Sequence, residues 1–315
     1  MNYQYILQRL VLAIVVILGV TFAVFSIVQL VPGDPARVVL GVQANEDNVA
    51  ALRERMGLNR PFFEQYFSWL GGVIQGDFGN SLITSQSVSA QIGARLPATL
   101  QLAVASLIIG LAIAFPLGII SAMYPRSPID LIASLISQIG VSIPDFWMGI
   151  LLILFFSLTL GWLPPSGYTP ITEDFGDWFS HLILPAMTAG LISGSIQTRF
   201  IRSAMLEVLG ESYIRTAYAK GLSRNVVISR HALRNAMITI VTIIGLQMTA
   251  LFSAVVVVEI VFTWPGLGDL SLEAVLDRDY PLLQGTVLTL AVIVTFINLL
   301  VDIIYFFLDP RIEYA

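Results

Sequence analysis

Apolar residues in this chain run in blocks rather than recurring on one helical face or alternating along strands. Blocks of this length suit a hydrocarbon layer about 30 Å thick, which takes about 20 helical residues to cross. Six are legible, over about residues 10–31, 98–123, 131–158, 182–198, 236–262 and 284–308. They predict an all-α polytopic membrane protein with six transmembrane helices. The first block exceeds the apolar run of about 7–15 residues found in a secretory leader. It ends in Pro32, Gly33, Asp34, Pro35 with no small-x-small cleavage site, and is read as a retained span. The polar interval 32–97 is too long for a plain connector, since loops beyond about 15 residues usually carry structure or function. Within it Asn45–Gly57 predicts a capped helix, with Glu46 and Asp47 in the first turn, Arg53 and Arg55 late, and Gly57 as the stop. Pro61–Ile74 predicts a second helix with Pro61 at its first position. These helices either lie on the membrane surface as a lid or dock an external partner.

Composition sharpens the class. Of 315 residues 56% are hydrophobic and 12% charged, against about 25% charged in soluble domains. That is too little polar surface for a water-soluble shell, and too much apolar content for disorder. A formal charge of -5 argues against nucleic-acid binding, which needs clustered cations. With no cysteine there is no disulfide, thiolate nucleophile or Cys-ligated metal.

Charge also sets the expected orientation. Arg9, Arg126, the stretch 199–235 and Arg311 hold ten of the sixteen Lys and Arg. Residues 159–181 carry Glu173, Asp174 and Asp177 and no base, and 263–283 has one Arg against four acids. Both termini are therefore expected on the cytoplasmic side. The interval 32–97 carries five Arg but is longer than the loops over which positive charge controls topology.

Several chemistries are missing. A phosphate cradle ends in Gly-Lys-[Ser/Thr], whereas the single lysine, Lys220, lies between Ala219 and Gly221. His181 and His231 fall in intervals assigned to opposite sides, so they do not jointly hold zinc. The run Gly190, Leu191, Ile192, Ser193, Gly194 has the small-residue spacing of close helix packing in lipid. No base is placed to make Ser193 a hydrolase nucleophile. Three acids fall within spans, where a charge costs about 2.5–3.5 kcal/mol at the centre. Glu259 and Asp302 lie near span ends, within reach of headgroups or a neighbouring helix. Asp145 follows Pro144 in the middle of the third block, so it either lines a water-filled passage or is a satisfied polar contact at a kink.

The stretch 199–235 is the most distinctive. Gly210 and Gly221 bracket a short helix with Ser212 as the expected N-cap, a body of Tyr213, Ile214, Arg215, Thr216, Ala217, Tyr218 and Ala219, and Lys220 against its dipole. A helix about 13 Å long is unstable alone and needs a supporting surface. Ala217 and Ala219 allow close approach of a partner, and Arg215 and Lys220 can pair with acids or carbonyls. The plainer alternative is a loop that only enforces topology.

The chain resembles the permease subunits of ABC importers of the dipeptide, oligopeptide and nickel class, specifically the first of the two permeases. The likeness runs from Leu30, Val31, Pro32, Gly33, Asp34, Pro35 through Arg53, Glu54, Gly57, Leu58, Arg60, Pro61, then Gly76, Asp77, Phe78, Gly79, Ser81. It continues with Ser142, Ile143, Pro144, Phe146, Trp147, with Gly161–Pro164, Ser166, Gly167, and with Leu184, Pro185, Ala186. It ends with Glu259, Phe262, Trp264–Gly268, Asp279–Pro281 and Leu308–Arg311. The resemblance implies the type I importer permease fold. It also implies a coupling loop of the EAA kind, in which Tyr213, Ile214, Arg215, Thr216, Ala217, Ala219, Lys220, Gly221 and Leu222 meet an ATPase. Arg215 and Thr216 replace that motif's Glu and first Ala, and Arg234 replaces its Pro, so this chain offers no Glu carboxylate at that position. The implied division is 1–94 as first span plus external loop, 95–306 as permease core with coupling loop 199–235, and 307–315 as a cytoplasmic tail. The candidate residues of the passage, from the acid behind a helix-breaking proline, are Pro144, Asp145 and Trp147.

The same resemblance implies a prokaryotic inner-membrane location and no cofactor on this chain, ATP and Mg being used by partner ATPases. The implied partners are a second related permease, two ATP-binding subunits, an extracytoplasmic solute-binding protein and membrane lipid, with no nucleic acid. An autonomous channel or secondary transporter is the competing reading, and an intramembrane enzyme lacks a base or ligand set. Substrates fitting the class are peptides first, then nickel chelates, glutathione and sugars.

Overall fold

The computed structural model describes residues 3–30, 35–40, 44–55 and 57–308. The Pro32, Gly33, Asp34 break, the Asp309, Pro310, Arg311 end and the rest of the tail from 309 lie outside the described residues. The elements are α1 (Tyr3–Leu30), α2 (Pro35–Leu40), α3 (Glu46–Arg55), α4 (Phe62–Ile74), α5 (Val88–Met123), α6 (Pro128–Ser142) and α7 (Asp145–Leu152). A π-helical turn (Ile153–Thr159) extends α7; α8 (Phe175–Leu209), α9 (Ser212–Ala219) and α10 (Arg224–Val226) follow. A second π turn (Val227–Ala232) leads into α11 (Leu233–Phe262), then α12 (Leu267–Leu276) and α13 (Tyr280–Leu308).

Two compact units are formed, one from residues up to 99 with 265–296, the other from 100–264 with 297 onward. In the first, α4 packs on α1. Tyr66 is buried and its hydroxyl hydrogen-bonds Thr21 at 2.9 Å. Phe22 and Phe25 of α1 meet both Tyr66 and Phe62 of α4 edge-on, with ring centroids 5.4–5.9 Å apart, a geometry that aligns ring edges with ring faces. One face of α4 is thus held by α1, while Phe63 and Phe67 on the other stay exposed. Pro61 is the N-cap rather than the first helical residue. Asn45 caps α3, its Oδ1 accepting from the Asn48 amide at 2.7 Å. A second cluster joins Val88 and Ile92 of α5 to Leu267, Leu270 and Ala274 of α12 and Leu282 of α13. Asp279 closes it, accepting from the Ser81 hydroxyl and from the Leu82 and Leu282 amides.

In the second unit α5 and α8 run parallel. Gln101 accepts from the Trp178 indole at 3.1 Å, Gly110 lies against Gly190 and Gly194, Gly118 against Thr198 and Ile201, and Ser121 bonds Arg202. Ascending numbers pair with ascending numbers, so the chain crosses the unit once between these helices. The crossing is made by α6 and α7, which are bent by 108° at Ile143 and Pro144. Proline lacks the N–H for the helix ladder and drives the residue before it out of the α region, and Ile143 is extended at φ -91°, ψ 126°. Despite the bend, Asp130 meets Arg202, Gly140 meets Ser195 and Gly149 meets Thr188. The pair therefore descends α8 continuously. Among the described residues five helices are long and apolar enough to span a bilayer, and the contacts of this bent pair with α8 make it a sixth crossing, broken at the proline expected to interrupt the block 131–158.

Boundaries differ most around α8. It extends from Phe175 to Leu209, beyond the apolar block 182–198 at both ends, and its 35 residues are about 52 Å long. Polar residues continue it because they find partners. The Asp174 side chain caps its start by accepting from the Asp177 amide at 3.0 Å, and Arg202 is paired. Most of 199–235 is consequently helical, with breaks at 210–211 and 220–223.

Candidate functional site

The chain turns from α8 into α9 over Gly210 and Glu211. Glu211, extended at φ -68°, ψ 148°, is the N-cap and makes no side-chain cap bond, so Ser212 is the first helical residue rather than the cap. At the other end Lys220 is the C-cap, its amide donating to the Thr216 carbonyl at 3.0 Å. Gly221 follows at φ +79° and donates to the Tyr218 carbonyl at 2.9 Å. That left-handed conformation suits glycine.

Ile214 and Ala217 lie one turn apart and are 1% and 7% exposed. They sit in a cluster with Ala114 and Ala122 of α5, Ile201 and Met205 of α8, Val227 and Ala232 of the second π turn and Ile240 of α11. The supporting surface a helix this short requires is thus the chain's own core. Ala217, expected to admit a partner, is turned inward. Tyr213, Arg215, Thr216, Tyr218, Ala219, Lys220, Gly221 and Leu222 are exposed, and Arg215 reaches back to the Gly210 carbonyl at 3.3 Å. α9 is thus packed at once against the adjacent ends of α5, α8 and α11.

A neighbouring ion pair escaped the sequence reading. Arg202 Nε and Nη2 donate to Asp130 Oδ1 and Oδ2 at 2.6 and 2.8 Å. Ser121 Oγ and the Arg126 amide complete the carboxylate's contacts. Nearby, Arg224 Nη2 donates to the Met123 carbonyl at 2.6 Å and its guanidinium lies 4.4 Å from the Tyr124 ring centre. The available signal was an acid immediately behind Ser127-Pro128 at the start of an apolar block. Charge counting had assigned Arg202 to topology alone.

At the bend Pro144 is the N-cap of α7. Asp145 lines a cavity of about 130 Å³ with Ala189, Ile192, Ser193, Ile196, Gln247 and Leu251 among its walls. Asp145 Oδ1 is buried there with no hydrogen-bond partner. Pro144 and Trp147 are exposed and do not line this cavity. Ser193 Oγ accepts from Gln197 Nε2 at 2.9 Å. The small-residue run around it packs against α5: a Cβ on Gly194 would stand 2.8 Å from the Gly110 carbonyl oxygen. Glu259 is fully buried, so it does not reach headgroups. His181 contacts the Asp177 carbonyl within its own helix at 2.9 Å, and His231 is half-buried in the second π turn. Among the described residues no group of three His, Cys, Asp or Glu is placed to hold a metal ion.

Comparison with known proteins agrees with this architecture. Residues 114–314 match the model of the binding-protein-dependent transport system inner membrane component, and 2–103 match the model of its N-terminal region. The oligopeptide transport system permease protein AppB of Bacillus subtilis is 42% identical over 98% of this chain and 99% of its own length. The glutathione transport system permease protein GsiC of Salmonella choleraesuis is 40% identical over 99% of each. Among solved structures, an inward-facing form of the MetNI methionine ABC transporter aligns at TM-score 0.57 and 18% identity, covering 69% of this chain and 96% of that one. An amino acid ABC transporter with histidines aligns at 0.52 and 15%, covering 71% and 95%. These likenesses favour an importer permease over an autonomous channel or secondary transporter, and hydrolysis in this family belongs to separate ATPase subunits. With its six crossings and near-full-length relatives, the chain belongs to the inner membrane components of binding-protein-dependent transport systems, as a multi-pass permease subunit of an ABC importer.

Proposed function

We propose that this chain forms half of the passage in an importer completed by a second related permease, two ATPase chains and an external solute-binding protein, and that its cargo is peptides. The names of its relatives support the cargo class, oligopeptide in one and dipeptide in another. The observation that carries the mechanism is the two-sided character of α9: Ile214 and Ala217 belong to the core that joins three spans, while Tyr213, Arg215, Thr216, Tyr218, Ala219, Lys220, Gly221 and Leu222 remain exposed. ATP binding by the partners pushes on this face, and the shared core carries the displacement into α5, α8 and α11. The passage then rocks between inward-facing and outward-facing states. ATP drives the change only by binding the two states with different affinity, and α9 is the part that conveys the difference. Residues 1–94 and 95–306 serve as the external-loop and passage regions, and the α9 end faces the cytosol.

The test is the complete complex in proteoliposomes, assayed for ATP hydrolysis and for uptake of the solute its binding protein carries. Tyr218→Asp places a charge on the exposed face without touching the core. It should leave assembly and thermal stability of the permease intact while lowering uptake at least tenfold, a loss of about 1.4 kcal/mol in coupling. Wild-type uptake by that complex would remove α9 from the mechanism.

A further inference from the structure

The cavity at the α6–α7 bend holds hydrogen-bonding capacity that the fold leaves over. Asp145 opens α7, yet its Oδ1 is buried and accepts no hydrogen bond. A carboxylate withdrawn from water without a donor is costly, and helix-terminal amides provide only part of the compensation. Across the same cavity α11 contributes Gln247 from within an otherwise apolar stretch. From α8 comes Ser193, whose oxygen accepts one bond from Gln197 and has a second lone pair remaining. The remaining walls are alanine, isoleucine and leucine. One carboxylate and two neutral groups able to accept, an amide and a hydroxyl, thus line a space whose walls offer no cation.

Charge and donor count identify the occupant. The hollow of about 130 Å³ is open on one side, so a small head group can seat in it while the rest of a solute extends outward. An alkylammonium carries three N–H donors and a positive charge, matching three acceptors of which one is a carboxylate. A carboxylate or phosphate would face Asp145 without a counter-charge. We propose that this cavity is a subsite for a primary ammonium group of the travelling solute, held by the Asp145 carboxylate, the Gln247 amide oxygen and the Ser193 hydroxyl oxygen. The inference rests on the permease reading and narrows its cargo to solutes with a free amine.

The test does not depend on coupling, so its outcome is separable from that of the α9 experiment. The full chain in lipid nanodiscs is treated with dicyclohexylcarbodiimide, which modifies carboxyls in apolar surroundings, and the rate at which the unmodified Asp145 peptide is lost, N-acylurea and N-methylamide products being counted together, is read by peptide mass mapping. For a site of roughly millimolar affinity, methylammonium chloride at ~10 mM should slow modification about tenfold. Tetramethylammonium chloride at equal ionic strength has no N–H donors and should not slow it. Gln247→Leu should retain the modification and lose most of the protection. Equal protection by both salts, equal protection by sodium chloride, undiminished protection in Gln247→Leu, or no adduct at Asp145 would each overturn the assignment.

Discussion

The carboxylate of Asp130 receives hydrogen bonds from the Ser121 hydroxyl, the Arg126 amide and both Nε and Nη2 of Arg202. Bidentate Arg–carboxylate pairs are the strongest of the common polar contacts, and removing one partner strands the other charge. Asp130→Ala should destabilise the permease by about 2–3 kcal/mol, below the largest buried-pair values because Arg202 keeps 31% of its side chain exposed. Exchanging the charges, Asp130→Arg with Arg202→Asp, should recover part of the loss, and thermal unfolding in detergent measures both. A different residue adds a pH-dependent contribution in the other unit. Burial pushes the Asp269 carboxyl above its ordinary 3.8, opposed by Arg95 at 3.4 Å. Folding therefore favours the protonated acid, so this contribution is complete below pH 3.8 and is lost as pH rises through the raised value. Asp269→Asn should flatten that decline in unfolding temperature across the acidic range; an unaltered slope would show that the acid does not titrate differently on folding.

Contact between α5 and α8 depends on four glycines, Gly110 and Gly118 of α5 and Gly190 and Gly194 of α8. A Cβ on Gly190 would lie 2.9 Å from the Ser106 carbonyl oxygen, and one on Gly194 would lie 2.8 Å from the Gly110 carbonyl oxygen. Both obstructing atoms are backbone, so the helices would have to separate. Gly194→Leu should cost several kcal/mol in helix packing, at or above the 1–3 kcal/mol typical of overpacked cores, and should reduce the folded fraction recovered from membranes. In α9 Ala217 is turned inward beside Ile214, and Ala217→Trp should lower unfolding temperature as well as uptake, whereas Tyr218→Asp should lower uptake alone. Equal unfolding temperatures for the two variants would contradict the burial of Ala217. These elements also show what the sequence could reveal. Apolar blocks located every span because lipid demands continuous hydrophobicity, and Pro144 announced a break. The extent of α8 was hidden because Arg199 and Arg202 read as solvent-exposed, while the acid that accommodates Arg202 lies in a separate helix. The Ile214/Ala217 stripe was legible as one helical face, but whether a partner or the chain itself covers that face depends on where α5 and α11 end. Gln247 carried no local signal, since its relation to Asp145 arises only when α7 and α11 meet.

The parallel course of α5 and α8 constrains the membrane topology of the second unit. A re-entrant α6–α7 hairpin would return the chain to the side it left, and α8 would then have to run antiparallel to α5. The observed pairings, Gln101 with Trp178 at one end and Ser121 with Arg202 at the other, require an odd number of crossings between them. Turn 124–127 and helix α9 consequently share one side, a grouping reinforced by Arg224, which bonds Met123 and covers Tyr124. Residues 160–174 occupy the other. Arg126, Arg215, Lys220 and Arg224 sit on the α9 side, against Glu173 and Asp174 on the opposite side, and basic loops are retained in the cytosol. The absence of cysteine in the chain makes this directly measurable with single substitutions at exposed positions. In intact cells a membrane-impermeant maleimide should label Glu173→Cys, while Pro125→Cys and Tyr218→Cys should react only after permeabilisation. Labelling of positions 125 and 173 from the same side would establish a re-entrant hairpin and refute the single bent crossing. Inversion of all three would preserve the crossing but place α9 outside, where no ATPase could reach it.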